Sequence, residues 1–357
     1  MWHEDVAKRL EHAIIPPGTP ISEALARLDR AGTGVLLLAE PDRCLFGVVT
    51  DGDVRRAILS GESLDRPCAS IASRHPLVAS PEMTEAETLH LMDHAREYVI
   101  NHLPVIDAAG TIVGLVLRSD LVSTDRAAMS AVIMAGGFGT RLRPLTETVP
   151  KPMLPLGDKP LLELTVERLR RSGIKRVNVT THYLADCISD HFGDGRAFGV
   201  EMQYVPEDRP LGTAGALRLV EPPDGPLLVL NGDILTSVDY QAMLAFHREH
   251  RADVTVGVRK YELQVPYGVI ETDDALVRTL REKPLQRFLV NAGIYLLEPP
   301  VMRFIPEGRR FDMTDLIQVL IQEGCRVASF PIVEYWLDIG QVADYQQAQD
   351  DVKHARV

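Results

Sequence analysis

At 357 residues the chain is long enough for two domains, and 45% apolar with 25% charged residues is ordinary for a globular protein. The net charge of −12 argues against a broad nucleic-acid-binding or anionic-membrane surface, while leaving room for a local basic pocket. Cys44, Cys68, Cys187 and Cys325 are scattered with no Cys-x-x-Cys pair, so reduced cytoplasmic thiols are expected, and neither a disulfide framework nor a zinc site.

In chain order, Met1-Trp-His-Glu-Asp-Val carries acids before any apolar run, and no later run reaches membrane-spanning length. Neither a signal peptide nor a membrane anchor is expected. Residues 1–125 hold a weak internal repeat: the stretch Leu36 to Asp53 aligns with Leu103 to Asp120. Each copy reads as apolar strand, polar turn and second apolar strand, the hairpin pattern, and ends in an acid. Amphipathic segments precede both copies, Ser22 to Ala31 and Thr84 to His94, and a helix is expected from Asp53 to Leu59. The repeat, above all Gly47-Val-Val-Thr-Asp-Gly-Asp-Val-Arg-Arg56 and His102-Leu-Pro-Val-Ile-Asp107, resembles a pair of cystathionine-β-synthase-type (CBS) domains, an α+β fold. That resemblance implies a regulatory or dimerising unit with a cleft for an adenine nucleotide, where Thr50, Asp53 and Asp120 would face the ligand. Leu117 stands where the first copy has Thr50, so a second site is less complete. Asp53 and Asp120 can equally be N-caps of the helices that follow. The small, polar stretch Val122 to Ser130 marks the domain boundary.

From residue 130 to 357 the pattern changes. Ala131 to Ala135 is an apolar run, read as a buried strand, and breaks into Gly136, Gly137 and Gly139, then Thr140 and Arg141. Glycines after a strand let backbone N–H groups approach phosphate oxygens, and arginine adds an always-charged donor. No lysine follows as in a P-loop, and Leu142 stands where the dinucleotide fingerprint needs glycine. Next come an amphipathic helix from Pro160 to Gly173, a strand Arg176 to Thr181, a helix Asp186 to Phe192, and strands Val200 to Val205 and Pro226 to Asn231. Alternating strands and helices predict a Rossmann-like α/β domain with a mixed, mainly parallel sheet, and ligands bind beyond the strands' C-terminal ends.

Asp233 stands just past the buried strand Leu228 to Asn231, where a carboxylate can serve Mg²⁺ or simply close a turn. Asp338 lies between the aromatic Tyr335-Trp336 and Gly340. Glu207, an acceptor-only group, precedes Pro210-Leu-Gly-Thr-Ala-Gly215; it can meet a ligand's donors or equally be a solvated surface acid. Phe311 to Ile317 opens a helix and reads as structural, and Val342 to Lys353 as a final helix.

Gly-Gly-x-Gly-Thr-Arg-Leu-x-Pro-Leu-Thr with Lys151-Pro-Met-Leu-Pro155 resembles the signature of the sugar-1-phosphate nucleotidylyltransferases, guanylyltransferases most of all. Asn231-Gly-Asp233, Trp336-x-Asp338-x-Gly340, Glu282-Lys283-Pro284 and Asn291-Ala-Gly-Ile-Tyr295 follow in the family's order. The resemblance implies transfer from an NTP, GTP favoured, to a sugar 1-phosphate for surface-glycan synthesis. It implies that Asp233 and Asp338 hold Mg²⁺ and that Arg141, Lys151 and Lys283 neutralise phosphates. Ala135, Gly136, Gly137, Gly139, Thr140, Glu207, Gly212 and Thr213 would bind the nucleotide, and Gly268, Glu282 and Asn291 the sugar. A homo-oligomer is expected. The alternatives are a uridylyl- or thymidylyltransferase, and a nucleotide sensor whose transferase domain is dead.

Overall fold

The computed structural model describes residues 10–94, 100–121 and 129–354. Its contacts divide the chain into two units, Met1–Asp125 and Arg126–Val357. Most of the boundary stretch, residues 122–128, lies outside the described residues.

In the first unit, strand β1 (Ile14–Ile15) precedes helix α1 (Ile21–Ala31), followed by the hairpin β2 (Val35–Ala39) and β3 (Leu45–Thr50) and helix α2 (Asp51–Leu59). The second copy runs from helix α3 (Glu85–His94) through the hairpin β4 (His102–Ile106) and β5 (Ile112–Leu117) to the helical turn α4 (Arg118–Leu121). The repeat is structural: both hairpins shift register at the same aligned place, after Leu38 and after Val105. Leu45 N–H donates to Gly110 O and Ile112 N–H to Arg43 O, so the turn of each hairpin clasps the other. Apolar side chains of both copies, Val35, Leu37 and Val48 with Ile112 and Leu115, share one buried cluster.

The second unit begins at β6 (Ser130–Met134), passes the short pair β7 (Pro155–Leu156) and β8 (Lys159–Pro160), and continues through α5 (Leu161–Arg171), β9 (Arg176–Thr181), α6 (Ala185–Phe192) and β10 (Glu201–Pro206). Then follow α7 (Gly212–Gly215), β11 (Leu227–Asn231), β12 (Ile234–Thr236), α8 (Tyr240–Glu249), β13 (Val254–Gln264), β14 (Val269–Asp273), β15 (Leu276–Arg281) and β16 (Leu285–Leu297). The chain closes with α9 (Met313–Gln322), β17 (Val327–Pro331), β18 (Trp336–Asp338) and α10 (Val342–Lys353).

The main sheet has the order β10-β9-β6-β11-β16-β13-β17. All neighbours are parallel except those of β16, which runs against β11 and β13. The expected mixed, mainly parallel sheet is therefore present, with β16 as its reversed strand. Parallel strands buried on both faces need continuous apolar runs, and Leu227 to Leu230 is buried throughout. Helix α9 covers one face by setting Met313, Leu316 and Leu320 against Val229, Val256 and Leu297. Because β6, β9, β10 and β11 point the same way, the loops after Met134, Thr181, Pro206 and Asn231 emerge at one edge. The site lies there. Strands β13 and β16 continue past the sheet as a ribbon that carries the β14–β15 hairpin, and most of residues 260–289 are exposed. Among the described residues no helix is long and apolar enough to cross a membrane.

Candidate active cleft

A cleft of about 430 Å³ opens at that edge, lined by the glycine loop, Lys151, Glu207, Gly212, Thr213, Asn231 and Asp233, among others. The glycines are demanded by contact. A Cβ on Gly136 would stand 2.6 Å from Glu207 Oε1, and one on Gly232 2.7 Å from the Met134 carbonyl. Gly139 has φ +61°, a conformation glycine adopts without strain, and its carbonyl accepts from the Thr146 hydroxyl at 2.8 Å. Ala135 is buried and donates its N–H to Thr180 O, which moors the start of the loop to β9. Thr140 and Arg141 lie in a single 3₁₀ turn that follows.

One end of the cleft is charged. Lys151, almost buried, bonds Asp233 Oδ2 at 2.6 Å, while Asp233 Oδ1 and Asn231 Oδ1 are buried with no hydrogen-bond partner. Such an orphaned oxygen costs roughly 1–3 kcal/mol unless a donor or cation arrives. Antiparallel pairing of β12 with β18 sets Asp338 opposite Ile234, and Ile339 N–H donates to Asp233 O, so the two aspartates stand side by side. Burial, then the charge of Asp233, raises the Asp338 pKa, and Lys151 and Arg141 oppose the rise. Arg141 reaches this corner over Gly340, where a Cβ would lie 3.5 Å from its guanidinium. A cluster of Leu142, Leu154, Leu156, Leu235, Ile339 and Tyr345 holds the loop, the Lys-Pro segment and the β12–β18 hairpin together.

Among the described residues no group of three or more His, Cys, Asp or Glu is placed to hold a metal. Mg²⁺ does not need three, since it takes one or two carboxylates plus phosphate oxygens and water. Paired carboxylates, one with an orphaned oxygen, fit that ion.

The other end is organised by Glu207. The option of a solvated surface acid fails, because Glu207 is 9% exposed. Its Oε2 accepts from Leu211 N–H at 2.9 Å and its backbone carbonyl meets His182 Nδ1 at 2.7 Å. Gly212, at φ +80°, has no room for a Cβ, which would lie 2.5 Å from Asp312 Oδ1. Thr213 is bolted to the next segment in both directions: its N–H donates to Asp312 Oδ1, and Met313 N–H donates to its hydroxyl. Arg310 and Asp312 therefore line the cleft, although the sequence marks their segment only as a helix start. Thr213, which holds Asp312 and Met313, lies about a hundred residues away in the chain, and no local signal carries that contact.

The sugar-side candidates are not among the residues lining the cleft. Gly268 and Glu282 do meet each other, since a Cβ on Gly268 would lie 2.9 Å from Glu282 Oε2, but both sit on the β14–β15 arm with Lys283. Lys283 has φ +45°, and its carbonyl accepts from the Gln264 side chain. Asn291, at the root of the arm, spends its amide internally: Oδ1 accepts from Gly293 N–H and Nδ2 donates to the Tyr295 hydroxyl.

In the first unit the simple capping alternative needs correction. Thr50 is the N-cap of α2 and Asp53 is the third helical residue, the two closing a capping box. Asp53 Oδ1 also accepts from Arg56 at 2.6 Å. Asp120 makes the matching bond to Leu117 N–H at 3.3 Å, without a hydroxyl opposite. His102, partly open as a residue but with its ring enclosed, has its pKa pushed down to about 4 by burial, against the pull of Asp53.

Similarity to known proteins agrees with this geometry. Over 241 residues the chain is 38% identical to a UTP–glucose-1-phosphate uridylyltransferase of Synechocystis, a match covering 62% of each chain. It is 34% identical over 233 residues to a mannose-1-phosphate guanylyltransferase of Mycobacterium tuberculosis, covering 63% of this chain and 64% of that one. The chain thus spans less than two thirds of the length of these relatives. A crystal structure from Bacillus anthracis, named as a glucose-1-phosphate thymidylyltransferase in complex with a sucrose, superposes with TM-score 0.51 at 26% identity. It covers 62% of this chain and 94% of that one. The CBS domain model matches residues 4–60 and 68–126. The nucleotidyl transferase model matches residues 130–355, well over half of the sequence, and the chain belongs to that family.

Proposed function

We propose that the protein transfers a nucleotidyl group from an NTP, GTP by preference, to a sugar 1-phosphate, releasing pyrophosphate and an NDP-sugar for surface-glycan synthesis. The observation that carries this reading is the two-ended cleft. An acceptor-only carboxylate, Glu207, stands at one end, and two adjacent carboxylates with two cations stand at the other.

An ionised oxygen of the sugar phosphate attacks the α-phosphorus in line. The new P–O bond forms as the bond to the β-phosphate oxygen breaks, and pyrophosphate leaves with that electron pair. The nucleophile is already ionised at neutral pH, so no general base is required, and positioning with charge neutralisation does the catalysis. Gly136, Gly137 and Gly139 offer backbone donors to the phosphates, with Ala135 and Thr140 bounding them. Arg141 steadies the departing pyrophosphate, and Lys151 neutralises the nucleotide phosphates once it releases Asp233. Asp233 and Asp338 would hold Mg²⁺, which when bound supplies positive charge at the α-phosphate and the attacking phosphate. Glu207, with Gly212 and Thr213, reads the base: its carboxylate accepts from guanine N1–H and the amino group. Lys283 and Glu282 on the arm, Gly268 beside them and Asn291 at its root serve the sugar phosphate. The N-terminal pair regulates, through an adenine nucleotide, or joins copies into a homo-oligomer, and takes no part in the chemistry.

Uridylyl or thymidylyl transfer is the second reading, supported by the names of two of the similar proteins. Incubating the purified full-length protein with each NTP, Mg²⁺ and a panel of sugar 1-phosphates, while measuring pyrophosphate, tests both. Release with GTP and a sugar 1-phosphate is expected. Release only with UTP or TTP selects the second reading, and nucleotide binding without any release leaves a catalytically dead sensor.

A further inference from the structure

We propose that Phe138 is the stacking wall of the nucleobase subsite, an inference that rests on the nucleotide reading above. Phe138 sits in the middle of the glycine loop, lines the cleft and is 45% exposed. An open phenyl ring in a loop otherwise made of backbone donors and an arginine forgoes part of the stabilisation that full burial would contribute. A flat apolar partner entering the cleft recovers that term.

The ring is held in place before any ligand arrives. It stands perpendicular to His182, with centroids 5.4 Å apart, and tilted against Tyr183 at 5.6 Å. Both supports are themselves anchored. His182 Nδ1 bonds the Glu207 carbonyl at 2.7 Å, and the Tyr183 hydroxyl donates to the carbonyls of Thr146 and Glu147. Little side-chain freedom remains to be lost on binding, which favours affinity.

The position is the base end of the cleft. A Cβ on Gly136 would meet Glu207 Oε1 at 2.6 Å and His182 Cβ at 3.5 Å, and His182 touches both the Phe138 ring and the Glu207 carbonyl, so Phe138 and Glu207 share it as a neighbour. The phosphate end is made by Lys151, Asp233 and Arg141. Glu207 and Phe138 then divide the work. The carboxylate discriminates between bases by their donors, whereas the ring adds affinity for any base, more for the larger face of a purine, because every base has a π-face.

Calorimetry on the full-length wild type, F138A, F138L and F138W tests this with three probes: GTP, UTP and inorganic pyrophosphate, each with Mg²⁺ and without sugar phosphate. The expected result is a loss of GTP affinity of roughly ten- to a hundredfold in F138A and F138L, a smaller loss for UTP, and recovery in F138W. Pyrophosphate, which has no base, should bind all four proteins equally, and the KM for sugar phosphate should not move. F138L keeps the bulk without the π-face, so it separates stacking from a packing defect. Unchanged GTP affinity in F138A and F138L overturns the wall. An equal loss for pyrophosphate also overturns it, because the ring would then be shaping the phosphate loop. Failure of the wild type to bind any nucleotide overturns the nucleotidyltransferase reading as well.

Discussion

Asp53 and Asp233 stand in similar local sequence, each behind an apolar strand and directly after a glycine, yet the two units use them in opposite ways. Asp53 lies in the first turn of a helix. Its Oδ2 takes the Thr50 N–H at 2.8 Å and the Thr50 hydroxyl at 2.7 Å, and its Oδ1 takes Arg56. Asp233 is followed by a strand that pairs with β18, so it does not stand in the first turn of a helix. One oxygen meets a lysine 82 positions away in sequence and the other meets nothing. The contrast separates a carboxylate consumed by its own backbone from one left for a ligand. Only the second is an energetic debt that binding can relieve.

The largest effect expected from this contrast is at Asp338, which shares the charged corner with Asp233. Asp338→Asn removes a carboxylate whose ionised form the corner disfavours, so the melting temperature should stay the same or rise. Turnover should fall by about a hundredfold or more, since loss of a metal ligand removes several kcal/mol of charge stabilisation. Asp338→Asn is the cleaner variant, because Asp233→Asn would also leave the nearly buried Lys151 without its partner. Normal turnover in Asp338→Asn would sink the two-aspartate corner.

A second, somewhat smaller effect is expected at the base end. In Glu207→Gln the amide oxygen can keep the Leu211 N–H, which turns the NH₂ toward the Gly136 side of the cleft. A donor then replaces an acceptor where guanine offers donors. GTP affinity should drop roughly ten- to a hundredfold, and UTP less. Equal losses for both nucleotides would mean that Glu207 only braces the loop.

Much of this was legible from residues alone. The strands announced themselves because a buried parallel strand needs an unbroken apolar run, and Leu227 to Leu230 is one. The helix start at Thr50 was legible only in part: Asp53 was read as the N-cap, whereas Thr50 is the cap and Asp53 closes the box from the third helical position. What stayed hidden depends on contacts distant in the chain. A mixed sheet was expected, but the apolar content of β16 is the same whichever way it runs, so which strand is reversed was invisible. The burial of Glu207 is decided by Gly136 and His182, which come from other strands. Arg310 and Asp312 reach the cleft because Phe311 O accepts from Ala214 and Gly215 N–H, a match made only in the fold. The arm carries no usable signal: Lys260 to Gln264 alternates like any half-buried strand, yet Tyr261 and Leu263 are exposed because the ribbon has left the sheet.

The third test concerns acid. His102 in the first unit titrates at about 4, against an ordinary 6.5, because burial disfavours its charged form. Between those two values the unfolded chain binds a proton that the folded one refuses. Stability therefore falls as the pH drops from about 6.5 toward 4 and is flat above that window. The loss should approach roughly 2 kcal/mol, less than the full shift implies because the residue keeps some solvent contact. His102→Gln should remove most of this slope in melting curves of the full-length protein. An unchanged slope would place the acid sensitivity elsewhere.

The smallest effect tests the N-terminal half of the contrast. If Asp53 is consumed by its own helix, Asp53→Ala and Thr50→Ala should each lower stability by about 1 kcal/mol, the usual value of a cap, and leave basal turnover unchanged. A chain that begins near Ser130 should also keep its catalysis, because every residue assigned to the chemistry follows it. The contrast breaks if the first unit proves to be a sensor that works through Asp53. Titrating AMP, ADP and ATP into the full-length protein would then give binding and a change in rate, and Asp53→Ala would abolish both. An effector can shift activity only by its differential affinity for two states of the whole chain, so a coupling of about 1–3 kcal/mol is the most to expect. With no binding by any of the three nucleotides, the pair serves to join copies. Thr50→Ala, which keeps the carboxylate but removes the hydroxyl that caps α2, decides between cap and ligand contact. A nucleotide response that survives in Thr50→Ala and dies in Asp53→Ala belongs to the carboxylate itself, and an acid satisfied by its own helix would then still be available to a ligand.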